Sequence, residues 1–320
     1  MKDIKVYFKI TIICLVISII LLIFLDRIVG NKLNNLYQGW NHKGYRGLVK
    51  EPKKIDHKRI AFFGGSVAGG YGLNYRDSMP YILEQKLFDK KFDTVNLALS
   101  GHATHGILNA VKDYNYLDYD IAIIHNGYND CTLKGYNFTS RNNNPIYKYF
   151  KYYPILQLYI PEKTQLLLNK DDPNALDNYY KKKQKRKELK NLNNPTSNEL
   201  VVSSLCKTIF DKKIKIVFNR SEFVDHLNSF SLANYEKILE FLKKNNKQVI
   251  VIIQPKYGAD PLQEIQSQLI IKLVKKYKNV KLLNLSDKIN LNDPKISFDQ
   301  IHNTRLGNEQ TVQFLLPLIN

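Results

Sequence analysis

The sequence changes from an apolar run to a glycine-rich segment within the stretch Phe62-Phe63-Gly64-Gly65-Ser66-Val67-Ala68-Gly69-Gly70. The apolar run Arg59–Phe63 predicts a buried β-strand, and the glycines that follow it predict a sharp turn. Because glycine permits backbone angles that other residues avoid, this turn can hold the Ser66 hydroxyl above the end of the strand. Nearby N–H groups then remain available to an anion. Ser66 is therefore the first candidate for a nucleophile.

Two other kinds of glycine-rich loop do not fit this stretch. A phosphate-binding loop has the pattern Gly-x-x-x-x-Gly-Lys-Ser/Thr, and although Gly64 and Gly69 have its spacing, Gly70-Tyr71 stands where lysine and the hydroxyl residue are required. A dinucleotide-binding turn has the pattern Gly-x-Gly-x-x-Gly, and its third glycine is missing. A purely structural turn remains the alternative while Ser66 is considered alone.

Short apolar strands alternate with helical stretches from Arg59 onward. The predicted strands are Arg59–Phe63, Thr94–Leu99, Ile121–His125, Lys247–Ile253 and Val280–Leu285, and the predicted helices are Ser78–Phe88, Thr104–Leu117, Leu262–Tyr277 and Leu306–Leu316. This alternation predicts an α/β fold, with a five-stranded parallel sheet between two layers of helices. In such sheets the reactive groups lie at the carboxyl ends of the strands.

The N-terminal segment contains an apolar run without charged residues, Ile10–Leu25. Its length is close to the minimum for crossing a bilayer, and Val6–Phe8 extends it if the Lys9 side chain reaches the headgroups. We interpret the run as one transmembrane helix. A cleaved signal peptide is the main alternative, but no small-x-small cleavage site follows. Since Lys2, Lys5 and Lys9 precede the span, we expect the rest of the chain outside the cytoplasm, in the periplasm or at the cell exterior.

The sequence divides into three parts. Residues 1–28 are expected to form a cytoplasmic tail and membrane anchor, residues 29–57 a polar connector, and residues 58–320 the main domain. The segment from about residue 131 to residue 246 does not fit the strand–helix alternation, so we expect a helical insertion between the third and fourth strands. This insertion includes the Tyr-rich segment Tyr147–Tyr159 and the helix-like stretches Ser203–Phe218 and Leu232–Lys244. It serves either as structural cover or as a wall of the substrate site.

The chain of 320 residues is basic, since 48 Lys and Arg against 29 Asp and Glu give a formal net charge of +19. The one dense run is Lys181–Lys187, which is either a solvated surface or a site of attraction to anionic lipid or glycan. The basic sequence contains no zinc-finger, helix-turn-helix or RNP-like pattern, so we do not expect nucleic acid as a partner. Cys131 and Cys206 either pair or remain thiols. The oligomeric state is not indicated.

Polar residues with complementary chemistry follow the other predicted strands. Gly101 follows the second strand and would let a backbone N–H approach a bound oxygen, and Asn129 follows the third and offers a side-chain amide. Asp299 and His302 precede the last helix. A carboxylate three residues from an imidazole can orient the ring and leave Nε2 facing a serine. Together these segments offer a nucleophile, a base, an orienting acid and oxyanion donors.

These segments resemble, in order, four conserved blocks of the SGNH hydrolase superfamily, the GDSL-like esterases and lipases. Gly64-Gly65-Ser66 resembles the first block, Gly101 the second, Gly127-Tyr128-Asn129-Asp130 the Gly-x-Asn-Asp block, and Asp299-x-x-His302 the last. The resemblance extends from about Arg59 to the C-terminus. The chain departs from the family where Gly65 replaces the aspartate of Gly-Asp-Ser, a position at which the family varies.

The resemblance implies a flavodoxin-like sheet and a serine esterase. Ser66 would attack an ester carbonyl, His302 would act as the base, and Asp299 would orient His302. The oxyanion would be held by the N–H groups of Ser66 and Gly101 and by the amide of Asn129. No cofactor or metal is implied. The extracytoplasmic location favours an O-acyl group, such as acetyl, on a cell-surface glycan as the substrate.

Other functions remain open. The same triad could serve an O-acyltransferase or a lysophospholipase with a lipid substrate, and a glycan-binding or assembly protein could keep the fold without activity. His102 and His105 flank Gly101 and could line the site, but they are weak candidates for metal ligands because no cysteine or acidic cluster lies nearby. Asp293 is a rival to Asp299, although its spacing to His302 is less suitable and Pro294 indicates a turn.

Overall fold

The computed structural model describes residues 2–32, 37–131, 144–170, 172, 174–176, 178–180, 182, 227–256 and 261–319. Its centre is a parallel sheet of five strands, with the spatial order β2-β1-β3-β4-β5. The strands are β1 Lys58–Gly64, β2 Phe92–Asn96, β3 Ile121–His125, β4 Gln248–Ile253 and β5 Val280–Asn284. The predicted flavodoxin-like sheet is confirmed.

Helices cover both faces of this sheet. The described α-helices are α1 Lys2–Lys32, α2 Ser66–Gly69, α3 Met79–Lys86, α4 Thr104–Asp113, α5 Pro145–Phe150, α6 Leu156–Leu168, α7 Ala233–Lys244, α8 Pro261–Val274 and α9 Arg305–Ile319. One buried core lies between the sheet and α4, α7 and α8, and a second lies between the sheet and α3 and α9. Neighbouring residues of β1 pack into opposite cores: Phe63 lies in the first core, and Phe62 lies in the second. Burial on both faces explains why the central strands β1, β3 and β4 are largely apolar runs.

Most element boundaries differ by a few residues from the sequence prediction, as β2 and α4 illustrate. Strand β2 begins at Phe92, where it pairs with Lys58, and it ends at Asn96 rather than at Leu99. The N–H of Leu99 still donates to the carbonyl of Gly64 at 3.1 Å, so the segment stays beside β1 after regular pairing ends. Helix α4 ends at Asp113 and is followed by the 3₁₀ turn Asn115–Leu117.

Helix α1 extends beyond the predicted apolar run on both sides. Its segment Val6–Ile28 is long and apolar enough to cross a membrane, and the most apolar 18 residues within it are not buried in the molecule. Most of its large apolar side chains are exposed to the surroundings. Length and composition are therefore those of a membrane-spanning helix or a signal sequence.

The connector packs against the main domain from residue 37 onward. Arg46 forms isolated antiparallel bridges with Trp40 and with Asn96 at the end of β2. Strand β2 is an edge of the sheet, so the connector covers part of this edge. The connector thus has a structural role that its polar composition did not predict.

The predicted insertion is described in part. Helix α7 matches the predicted helix Leu232–Lys244 closely, and α5 and α6 contain most of the Tyr-rich segment. The predicted helix Ser203–Phe218, most of the basic run Lys181–Lys187 and Cys206 lie outside the described residues. The division of the chain into anchor, connector and main domain stays a prediction.

Candidate active site

Ser66 is the first residue of the short helix α2, which follows β1 directly. The first N–H groups of a helix have no acceptor within the helix, so the Ser66 N–H, at the carboxyl end of β1, does not bond within α2. The turn is closed by Gly70, whose φ of +72° lies in the left-handed region. Its neighbour Tyr71 donates its N–H to the Ser66 carbonyl at 2.9 Å. The Ser66 side chain is half-buried and can be reached from solvent.

Asp299 and His302 lie in a loop before α9, on the side of Ser66. The loop is closed by a bridge between Ser297 and Asn303 and by the Ser297 hydroxyl, which donates to the His302 carbonyl at 2.9 Å. His302 Nε2 lies 2.8 Å from Ser66 Oγ, and His302 Nδ1 lies 2.6 Å from Asp299 Oδ2. The three predicted triad residues are therefore in hydrogen-bond contact in the order that general-base activation of a serine requires.

The carboxylate of Asp299 is held in its charged form. Burial alone would raise its pKa, but the imidazole of His302 and the N–H groups of His302 and Ile301 outweigh burial, so the pKa lies below its ordinary value. Those N–H groups donate to Oδ1 at 2.7 Å and 3.0 Å, which leaves Oδ2 for the ring. An ionised Asp299 fixes the tautomer in which Nδ1 carries the proton and Nε2 can accept one.

The two predicted oxyanion segments meet beside the nucleophile turn. Gly101 has a φ of +81°, a left-handed conformation that favours glycine. The amide of Asn129 donates to the carbonyl of His102 at 2.9 Å, so the loops after β2 and β3 are joined. A side-chain amide carries two N–H groups, and this contact uses one of them. The Asn129 amide is thus anchored beside the nucleophile turn.

The sequence suggested that Gly65 provides backbone freedom, but in the structure position 65 instead lacks space for a side chain. Its φ is −88°, which other residues adopt without strain. A Cβ atom at this position would lie 2.4 Å from the Asn129 amide nitrogen and 3.3 Å from the His102 carbonyl oxygen. Glycine is therefore needed because the Asn129 amide packs directly against the backbone before Ser66.

Asp130 holds the same two loops together from below, a role that the sequence did not assign. It is buried, and its Oδ1 accepts the N–H and the hydroxyl of Thr104 at 2.8 Å and 2.9 Å. Its Oδ2 accepts the side-chain amide of Asn126. Burial raises the pKa of Asp130 to about 6, against the opposing effect of hydrogen bonds from Thr104, Ser231 and Asn126. The Asp in the Gly-x-Asn-Asp block was the only sequence signal for this contact.

Three further side chains support the triad without having been predicted. The His302 ring contacts two aromatic rings, with centroid distances of 4.8 Å to Tyr71 and 5.7 Å to Phe298. The buried guanidinium of Arg46 donates to the carbonyls of Gly69 and Gly70 in the turn after Ser66. Aromatic and arginine residues are common in any sequence, so only the proximity of Tyr71 and Phe298 to the motifs could have suggested them.

The remaining sequence candidates lie elsewhere. The ring of His102 is fully buried and packs against Gly106 of α4, and the ring of His105 lies 5.7 Å from that of Phe230. Asp293 accepts the N–H of Lys295 at 2.9 Å within its own turn, so Asp299 is the carboxylate that contacts His302. The pairing of Cys131 with Cys206 lies outside the described residues.

Comparison with known proteins gives distant similarities. No family model matches the chain, and no curated protein matches it. Among solved structures, it is similar to a lipase/acylhydrolase from Enterococcus faecalis, with 13% identity, a TM-score of 0.46, and coverage of 82% of this chain and 95% of the other. A psychrotrophic esterase from Pseudoalteromonas shows 11% identity and a TM-score of 0.46, with coverage of 82% and 96%. A member of the lipolytic G-D-S-L family from Veillonella parvula shows 11% identity and a TM-score of 0.42, with coverage of 81% and 97%.

Proposed function

We propose that the chain is a serine ester hydrolase in which Ser66, His302 and Asp299 form the catalytic triad. The observation that carries this proposal is the unbroken contact from Asp299 Oδ2 to His302 Nδ1, at 2.6 Å, and from His302 Nε2 to Ser66 Oγ, at 2.8 Å. A merely structural serine would not require a base at hydrogen-bond distance or a carboxylate that orients that base. The half-buried position of Ser66 at the end of β1 leaves the hydroxyl accessible to a substrate.

The reaction follows from this geometry. Ser66 Oγ attacks the carbonyl carbon of the ester while His302 Nε2 takes the hydroxyl proton. The tetrahedral intermediate collapses, the bond to the alcohol oxygen breaks, and His302 returns the proton to the leaving alcohol. Water then attacks the acyl-enzyme and gives a proton to Nε2. The acid is released when Ser66 Oγ leaves and takes that proton back.

The oxyanion of each tetrahedral intermediate would be bound by three donors. They are the N–H of Ser66, the N–H of Gly101 and the side-chain amide of Asn129. The contact of Asn129 with Gly65 and the His102 carbonyl supports this role, because it fixes the amide before the substrate arrives. Donors that are already in place need no reorganisation during the reaction and stabilise the transition state most.

The location of the domain supports the choice of substrate. We infer that α1 anchors residues 58–320 outside the cytoplasm, since three lysines precede its apolar span. Residues 29–57 connect the anchor with this domain, and residues 131–246 contain the insertion. An extracytoplasmic ester hydrolase meets acylated glycans and lipids, and we propose an O-acetylated cell-surface glycan as its substrate. A C-terminal reporter that is active only in the cytoplasm would contradict this topology.

The test uses the full chain in detergent. We expect it to release p-nitrophenol from p-nitrophenyl acetate and acetate from an O-acetylated glycan, and we expect Ser66→Ala to abolish both activities. The matched control is Ser267→Ala, because Ser267 lies on α8, outside the triad loops.

The alternatives give different results. Equal inactivity of the unchanged chain and Ser66→Ala, with glycan binding retained, would identify a binding protein. Acyl transfer to an added sugar in excess over hydrolysis would identify a transferase with the same triad. Release of fatty acid from a lysophospholipid, but of no acetate from glycan, would identify a lipid substrate.

A further inference from the structure

Asp26 joins the apolar helix α1 to the main domain. It lies within the segment Val6–Ile28, yet its side chain is only 4% exposed. Its carboxylate accepts the hydroxyl of Tyr152 and, at 2.9 Å, the N–H of Ile155. The Tyr152 hydroxyl also lies 3.4 Å from the carbonyl of Ile23, one turn earlier in α1.

This contact fixes the position of the domain relative to the end of the span. A carboxylate in an apolar helix needs partners, because neither lipid tails nor neighbouring apolar side chains satisfy it. Asp26 finds its partners in the segment that connects α5 with α6. The domain therefore does not hang from the anchor by a free tether, and the segment around Tyr152 lies at the level where α1 leaves the apolar region.

Four consecutive residues directly before Tyr152 have the composition of a membrane interface. They are Lys148, Tyr149, Phe150 and Lys151, here called the interface patch. The side chains of Tyr149 and Phe150 are 74% and 76% exposed. Phe150 is two residues from Tyr152, so the backbone separates the two Cα atoms by about 7 Å at most. Exposed aromatic residues at this level are typical of the aromatic belt of membrane proteins.

The lysines of the patch favour an anionic surface. Lys148 Nζ lies 5.7 Å from the centre of the Tyr149 ring, so cation and aromatic ring lie side by side. Lys151 lies 5.4 Å from the ring of Tyr147, which is buried and fixes the base of the patch. Asp113 is the acidic residue in contact with the patch, 3.1 Å from Lys151 Nζ. The whole chain carries +19, so the domain adds to the attraction.

We propose that the interface patch rests on the headgroup region of the bilayer that α1 crosses, and that this bilayer contains anionic lipid. Asp26 sets the contact by holding the α5–α6 connection at the end of the anchor. The inference rests on the proposed anchor and is independent of the proposed hydrolysis. It gives the domain one orientation on the membrane, with the α4 side of the sheet toward the lipid.

Quenching of a single tryptophan tests the contact in the full chain. The sequence has one Trp, so Trp40→Phe provides a background for Phe150→Trp and, as the matched control, Phe314→Trp on α9. Phe314 lies on the opposite face of the sheet. The variants are reconstituted in nanodiscs of phosphatidylcholine and phosphatidylglycerol that contain doxyl-labelled phosphatidylcholine. We expect the doxyl lipid to remove roughly half of the emission of the Phe150→Trp variant and little of that of Phe314→Trp, since interfacial indoles lie at headgroup level.

Three results decide the inference. Equal quenching of the two variants overturns it, provided that the chain co-elutes with the nanodiscs. A chain that does not co-elute with them overturns the anchor itself, which separates the two failures. Adding Lys148→Glu and Lys151→Glu to the Phe150→Trp variant should reduce its quenching, and unchanged quenching would overturn the anionic part of the proposal.

A second measurement needs no substitution. Hydrogen exchange of the unchanged chain should slow across residues 144–155 in anionic nanodiscs relative to detergent, and should not change in α9. Equal exchange of residues 144–155 in both environments would overturn the contact even if a tryptophan variant failed to fold.

Discussion

His302 Nε2 lies 2.8 Å from Ser66 Oγ although 236 positions separate the two residues in the chain. The parallel sheet brings them together, because β1 ends at Gly64 and the loop before α9 lies at the same edge. Asp299 completes the contact from within the His302 loop. The position of Ser66 depends on the turn after β1, and the positions of Asp299 and His302 depend on the loop before α9, so substitutions can test the two elements separately.

Asp299→Asn should lower kcat with p-nitrophenyl acetate by a factor on the order of 10⁴, because a neutral amide can favour the wrong tautomer of His302. KM should change little, since Asp299 touches the base rather than the proposed substrate. Steady-state kinetics of the full chain measure both constants. Asp293→Asn is the control, and an equal loss there would show that the rival carboxylate had been wrongly rejected.

Gly65→Asp restores the Gly-Asp-Ser motif of the resembled family and yet should inactivate the chain. A Cβ atom would lie 2.4 Å from the Asn129 amide nitrogen and displace this oxyanion donor. Loss of one such donor typically lowers kcat by about 10²–10³-fold. Gly69→Ala is the matched control in the same turn, because its Cβ would meet nothing closer than 3.5 Å. Activity retained in Gly65→Asp would contradict the proposed place of Asn129.

The sequence predicts the sheet better than it predicts the supports of the site. The central strands β1, β3 and β4 are largely apolar runs between two helical layers, and β3 is predicted to the residue, whereas the edge strand β2 begins at Phe92 and ends at Asn96 rather than at Thr94 and Leu99. The candidate triad and oxyanion residues could be found because each follows a strand or precedes a helix. Arg46 and Asp26 could not, since their partners come from distant segments and both look like surface residues in the sequence.

Asp130 should give the folding equilibrium a measurable pH dependence. Its folded pKa is raised to about 6 from an ordinary value of 3.8, so the folded state holds the proton more tightly. The resulting stability is present below the ordinary pKa and is lost as the pH rises through about 6, a change of about 2–3 kcal/mol. Urea unfolding between pH 4 and 6.5 measures it. Asp130→Asn should be less stable overall, and the difference in unfolding free energy between the unchanged chain and Asp130→Asn should shrink as the pH rises from 4 to 6.5.

The Asp299 carboxylate gives stability a pH dependence of the opposite sign, because its folded pKa is lowered. Its contribution is present above the ordinary pKa and is lost as the pH falls below it, through the folded value. The two groups therefore act in different pH ranges and can be separated. Burial lowers the pKa of His125 to about 4, which gives both chains a slope of the opposite sign. A difference between the two chains that stayed constant from pH 4 to 6.5 would show that Asp130 does not titrate there.

Arg46→Met should destabilise the turn that carries Ser66. The buried guanidinium donates to the Gly70 carbonyl at 2.8 Å and to the Leu73 carbonyl at 2.9 Å, and burial lowers its pKa to about 10. Methionine fills similar volume but leaves these carbonyls without their charged donor, a cost of about 3 kcal/mol. Urea unfolding measures this loss, and kcat should also fall because the turn positions Ser66. The control is Arg76→Met, in which an exposed guanidinium is removed from the neighbouring 3₁₀ turn. Equal stability of Arg46→Met and Arg76→Met would show that the connector does not support the turn.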